Sequence, residues 1–281
     1  MLDENSKGAD ASFRLKEEPK AQEAAGSAHI AKEYLPKMFT ELGIESGAKV
    51  LDVGCGIGMM VATLREIGYD AYGLEPGGRF KEVAPDTKEF IENCYADEYV
   101  RSGKRDAFDV VMSFGVIEHV GTIDGHSLLA PEFLEYRIQF IEDSIKLLKP
   151  GGFLVVMGPN RLFPFDFQHG PHGYGSLSAI KRSLPFLKII KRLTLPWHKE
   201  NYLVSYDDLQ TIGNGISSKS GMSGSYSYYH PKQGNLLGLT SLEGRRKLVA
   251  MYRLYVGLID MLPISFRKVL HTHTLFVLKR S

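Results

Sequence analysis

Apolar residues along the chain fall into two alternating periods. The stretches KVLDVG (49–54), DAYGLE (70–75), FDVVMSFG (108–115) and FLVVMGP (153–159) are short apolar runs closed by glycine, an acid or proline. Such runs predict strands buried on both faces. Between them, GMMVATLREIG (58–68) and PEFLEYRIQFIEDSIKLLKPGG (131–152) carry apolar residues at helical spacing, the first ended by Gly68 and the second by Pro150 and a Gly-Gly turn. A third strand is expected just before NCYADEY (93–99). Strands separated by helices of ~10–15 residues imply right-handed crossovers and a parallel sheet covered on both faces. The fold class is therefore α/β, doubly wound.

The flanks read differently. Residues 1–27 are rich in Ala, Lys, Glu and Ser and poor in large apolar side chains, which predicts a disordered tail. HIAKEYLPKMFTEL (29–42) places Ile30, Tyr34, Met38 and Leu42 at helical spacing, with Pro36 as a dissenting residue. From 160 to 240 the alternation stops. Pro, Gly, His and aromatic residues dominate there, and GNGISSKSGMSGS (213–225) reads as a flexible loop. EGRRKLVAMYRLYVGLIDML (243–262) then predicts a helix and THTLFVLKR (272–280) a strand. The expected organisation is one domain over 28–281, with 160–240 inserted on its substrate side.

Composition narrows the function. The 34 Lys and Arg nearly balance the 33 Asp and Glu, a formal net charge of +1 that gives no general attraction for nucleic acid. No N-P-P-Y-like motif for a flipped adenine base is present either. Two cysteines, Cys55 and Cys94, make neither a disulfide framework nor a zinc set. With no signal-peptide pattern and no run of ~20 apolar residues, a cytoplasmic location is expected.

Chemistry concentrates in VLDVGCGIGMM (50–60). Glycines at 54, 56 and 58 allow the backbone to turn out of a strand and approach a ligand closely, as at a nucleotide site beyond a strand's carboxyl end. A dinucleotide would need G-x-G-x-x-G, but the third position counted from Gly54 is Met59. Asp52 would also repel a pyrophosphate. S-adenosylmethionine reverses that sign, because it lacks phosphate and carries an ammonium and a sulfonium. Glu75, at the end of the second strand, can accept from both ribose hydroxyls, and Asp97 from the adenine amino group.

These stretches together resemble the class I S-adenosylmethionine-dependent methyltransferases. The match runs over about residues 40–160 through VLDVGCGIG, Glu75, Asp97, FDVVMSFGVIEHV and LKPGGFLVVMGPN, with THTLFVLKR similar to the family's last strand. The resemblance implies a Rossmann-like, seven-stranded sheet whose last strand is antiparallel. It also implies that Cys55, Pro76, Ala96, Phe114 and Gly115 join Asp52, Gly54, Gly56, Gly58, Glu75 and Asp97 around the cofactor.

Methyl transfer to a hydroxyl needs a proton acceptor, and three histidines are candidates: His119, and His169 and His172 in FDFQHGPHGYG (165–175). GVIEHV resembles the E-x-x-E-H of ubiquinone-pathway and small-RNA O-methyltransferases at Glu118 and His119. Gly115 stands at the first acid, so no metal is expected. A basic stretch within 181–199 suggests a phosphate-bearing or amphiphilic acceptor, saccharide or lipid-linked, and peripheral contact with a membrane. The acceptor class is thus a small molecule, saccharide or lipid-linked compound, methylated at oxygen. The alternatives are a noncatalytic cofactor-binding scaffold and, third, a nicotinamide oxidoreductase.

Overall fold

The computed structural model describes residues 24–123, 128–163, 202–220, 225–227, 254–255, 257–259 and 261–280. Seven strands form one sheet: β1 (Lys49–Val53), β2 (Asp70–Leu74), β3 (Ile91–Glu92), β4 (Phe108–Phe114), β5 (Leu148–Pro159), β6 (Ser225–Ser227) and β7 (His273–Lys279). Their order is β3-β2-β1-β4-β5-β7-β6. Strands β1 to β5 pair in parallel, and β7 runs antiparallel to both β5 and β6. Chain order reverses between β1 and β4, which places a crevice at the carboxyl ends of those two strands.

The near-continuous apolar runs are explained by burial on both faces. Neighbouring residues of one strand point oppositely, so Leu51, Val111, Leu154 and Val156 serve one core while Val50, Val110 and Val155 serve the other. The first core is closed by α4 (Ala96–Arg101), α5 (Phe133–Lys146) and α6 (Tyr206–Ser220). The second is closed by α1 (Leu35–Glu41) and α2 (Met59–Glu66). A short α3 (Pro85–Lys88) precedes β3, and α7 (Ile264–Leu270) leads into β7.

Several elements differ from the sequence expectation for local reasons. Residues 24–27, at the end of the expected tail, lie in a helix that continues to 29; residues 1–23 are outside the described residues. The helix around Pro36 is not uniform: a π-helical turn, Ile30–Tyr34, precedes α1, and the proline falls in the first turn of α1, where its missing N–H costs little. Helix α5 stops at Lys146, earlier than Pro150 suggests. The Lys-Pro-Gly-Gly residues belong to β5, where the register against β4 jumps from Phe108–Leu148 to Val110–Phe153.

The expected loop over 213–225 is corrected. Its first part is the second half of α6, since Leu209, Ile212 and Ile216 return at helical spacing and bury against the sheet. Gly213 is needed there: a Cβ would lie 2.5 Å from Phe276 Cζ. The glycine thus permits close helix-to-strand packing where its composition had suggested flexibility.

Candidate active site

The turn after β1 is held by short-range bonds. Gly54 N and Cys55 N both donate to Leu74 O, at 2.8 and 3.0 Å, which ties the turn to the end of β2. Gly54 and Gly58 have φ of +80° and +78°. They are also crowded: a Cβ on Gly54 would lie 2.5 Å from Val116 Cγ2, and one on Gly58 2.4 Å from Ile91 Cδ1. Backbone conformation and steric contact therefore both require glycine. The Gly54–Val116 contact sets the turn directly against the loop that follows β4.

Two carboxylates meet at this turn. Glu75, buried, accepts from Gly56 N at 2.9 Å with one oxygen and from Gly77 N at 2.8 Å with the other. Each oxygen has a second lone pair, so the carboxylate can still receive hydroxyl donors. Asn93 Nδ2 donates to Glu75 O at 2.6 Å, joining β3 to the same corner. Asp52, 4% exposed, is pushed up to about 7 by burial and then by the charge of Glu75. The same two acids, after burial, push the Cys55 thiol up.

This corner has the wrong charge for a phosphate. A buried Asp52 whose proton affinity is raised by burial and by the neighbouring Glu75 is relieved by a cation, so the ammonium and sulfonium of S-adenosylmethionine fit and a pyrophosphate does not. Asp52 would balance the cationic methionine half, and Glu75 would take the ribose.

The other expected cofactor residues surround the same edge. Pro76 starts the turn that returns Gly77 N to Glu75. Ala96 is buried at the start of α4. Asp97 lies in the first turn of that helix and pairs with Arg101 Nη1 at 2.8 Å, a half-exposed bridge that leaves the adenine role of Asp97 to be tested by binding. Phe114 ends β4, and Gly115 follows with φ +70°. The Glu118 carboxylate is buried behind this loop: Cβ atoms on Gly115 and Gly158 would lie 3.8 and 3.2 Å from its two oxygens.

His119 sits on the loop after β4, its N–H donating to Val116 O at 2.8 Å. Its ring lies beside that of Tyr202, centroids 6.0 Å apart and planes 32° apart. His169, His172 and the 181–199 stretch lie outside the described residues. Among the described residues, no group of three or more His, Cys, Asp or Glu side chains could hold a metal ion. No described helix is long and apolar enough to cross a membrane.

Sequence reasoning missed a second set of residues. Arg137, on α5, is 2% exposed and donates to the carbonyls of Val120, Glu118 and Tyr202. Arg161, just after β5, makes two 2.9 Å bonds to Asp208, whose carboxylate also takes Ser205 N at 2.7 Å. Asn160 Nδ2 donates to Lys268 O and His271 O at 2.9 and 2.7 Å. One signal was readable: Arg137 occupies a core-facing position one turn before Ile141.

Comparison with known proteins agrees with this architecture. A family model described as a methyltransferase domain matches residues 27–210. The chain is 28% identical over 125 residues to the mitochondrial ubiquinone biosynthesis O-methyltransferase of Rattus norvegicus, covering 41% of this chain and 32% of that protein. It is 27% identical over 121 residues to the ubiquinone biosynthesis O-methyltransferase of Chelativorans sp. (strain BNC1), covering 41% of this chain and 42% of that one. The chain thus spans about a third to two fifths of the length of these curated relatives. The plantazolicin methyltransferase BamL, solved with a triazolic desmethylPZN analogue and SAH, superposes with a TM-score of 0.51 at 14% identity, over 98% of this chain and 91% of that chain, which is likeness of fold. With the family model matching well over half the chain and a seven-stranded sheet closed by an antiparallel β7, the chain belongs to the methyltransferase domain family, within the class I S-adenosylmethionine-dependent superfamily.

Proposed function

We propose that this protein transfers the methyl group of S-adenosylmethionine to an oxygen of a small-molecule acceptor. The observation that carries the cofactor side is the buried Asp52–Glu75 pair at the glycine turn, which favours a cationic, phosphate-free nucleoside. When bound, S-adenosylmethionine supplies an electrophilic sulfonium methyl, and the chain's task is alignment, exclusion of water and removal of the acceptor's proton. His119 is the candidate base among the described residues, because its loop packs on the glycine turn through Val116. The curated relatives' names, ubiquinone biosynthesis O-methyltransferases, support oxygen as the acceptor atom. The basic residues within 181–199 support the narrower choice of a saccharide or lipid-linked acceptor met at a membrane surface.

Calorimetric titration with S-adenosylhomocysteine and, separately, NAD tests the cofactor. Binding of the first alone is expected; binding of NAD alone would sink the reading. Transfer of a labelled methyl to phenols, polyols and phosphosugars then tests the acceptor. Label that survives mild alkali marks an ether, whereas release as methanol marks a carboxyl ester and rejects hydroxyl methylation. Co-sedimentation with anionic vesicles at low and high salt tests the membrane contact, which is rejected if no binding occurs at either.

A further inference from the structure

The carbonyls of Glu118 and Val120 flank His119 in the chain, and the Tyr202 carbonyl belongs to the residue whose ring lies beside the His119 ring. One guanidinium binds all three: Arg137 Nε donates to Val120 O at 3.2 Å, and Nη2 donates to Glu118 O at 3.1 Å and to Tyr202 O at 2.7 Å. We propose that Arg137 is a positioning residue that sets His119 against Tyr202 to form one wall of the acceptor side of the cleft. The inference rests on the methyltransferase reading of that cleft.

The energetics favour a placement role. A buried cation is costly, and its proton affinity is lowered to about 10 here by burial, with Asp208 and Glu118 opposing that effect and Arg161 adding to it. The groups it bonds directly are neutral carbonyls, so the desolvation of the guanidinium is only partly offset. An apolar residue would, however, leave three carbonyls and two chain segments uncoordinated. Arginine's rigid planar fork fixes both segments at once, which lysine's single ammonium on a flexible stem cannot match. The far end of the Tyr202 segment is pinned independently, through Asp208 to Arg161 and Ser205. Arg137 therefore controls the end of the segment nearest His119.

The test uses the His119 imidazole as reporter, by proton–carbon correlation of its Cε1–H, assigned with His119→Ala. Tyr202→Leu removes the ring-current contribution of Tyr202 and defines the undocked position. Arg137→Lys and Arg137→Met should both move His119 to that position and change its titration midpoint, while S-adenosylhomocysteine affinity stays at the wild-type value. A folded Arg137→Lys protein with the wild-type His119 shift and midpoint would overturn the proposal. If neither Arg137 variant folds, the Arg137 Nε–H resonance is followed in His119→Ala and Tyr202→Leu. It should move in both, and no movement in either also overturns the proposal. Failure of the methyltransferase reading would appear separately, as absent S-adenosylhomocysteine binding by the wild type.

Discussion

Asp52→Asn should stabilise the ligand-free protein while weakening its hold on the cofactor. Burial and the neighbouring Glu75 push Asp52 up to about 7 in the fold from its ordinary 3.8. Between those values the folded state binds more protons than the unfolded chain, so this group adds stability as pH falls and removes it as pH rises. At pH 8 the ionised, buried carboxylate costs about 4 kcal/mol, and at pH 5 about 2 kcal/mol remains. Asparagine keeps the shape without the charge and should recover about those amounts.

His271 works in the opposite sense. Burial, and then Arg267, lower its pKa to about 4 from 6.5. Its contribution is therefore lost as pH falls through the unfolded value, by about 2 kcal/mol between pH 8 and pH 5. In the wild type these two contributions offset each other over this range, whereas in Asp52→Asn the loss at His271 towards pH 5 is uncompensated. Urea unfolding at the two pH values measures the difference, which should shrink by about 2 kcal/mol on acidification. In the same variant, S-adenosylhomocysteine binding should weaken by ~10–100-fold, the value of a hydrogen bond to a charged group. An Asp52→Asn protein with wild-type stability at pH 8, or a pH-independent difference, would refute the charge argument.

Glu75→Gln should also cost ~10–100-fold in S-adenosylhomocysteine affinity by calorimetry, and an unchanged affinity would remove Glu75 from the ribose. Gly213→Ala should lower stability by about 1–3 kcal/mol through the clash with the Phe276 ring. Adding Phe276→Leu should recover part of the loss in urea unfolding, and no recovery would mean that the strain lies elsewhere. Asp208→Ala breaks the bidentate pair with Arg161 and strands Ser205 N, at a cost of about 1–2 kcal/mol. An unshifted urea midpoint would count against that anchor.

The glycine turn and its two acids were legible because they are local in the chain. Asp52, the glycines and Met59 fall within one turn, and Glu75 follows at the next strand end; both acids reach the turn through elements of ordinary length. The misreadings arose where tertiary packing overrides composition. Glycines 213 and 215 suggested a loop, yet Leu209, Ile212 and Ile216 supply a helical stripe, and Gly213 answers to Phe276, a residue far away in the chain. Pro150 looked like a helix terminator but sits in an irregular stretch of β5. The long-range anchors were invisible for the same reason: Arg137 meets Tyr202 65 positions away, and Asn160 meets Lys268 and His271 at 108 and 111.

Those long-range anchors predict that the segment between them can be separated from the cofactor site. Asn160 and Val204 form a parallel bridge, and Arg161 N donates to Val204 O at 2.9 Å, so the chain is fixed on both sides of residues 164–201 by bonds that do not involve them. In a protein with 164–201 replaced by a Gly/Ser linker of ~12 residues, long enough for a parallel return, S-adenosylhomocysteine affinity should stay at the wild-type value. Methylation of an acceptor recognised through 181–199 should be lost. Loss of S-adenosylhomocysteine binding in a folded deletion protein would show the opposite, that the segment holds the cofactor too, and the division into a cofactor half and an acceptor half would fall.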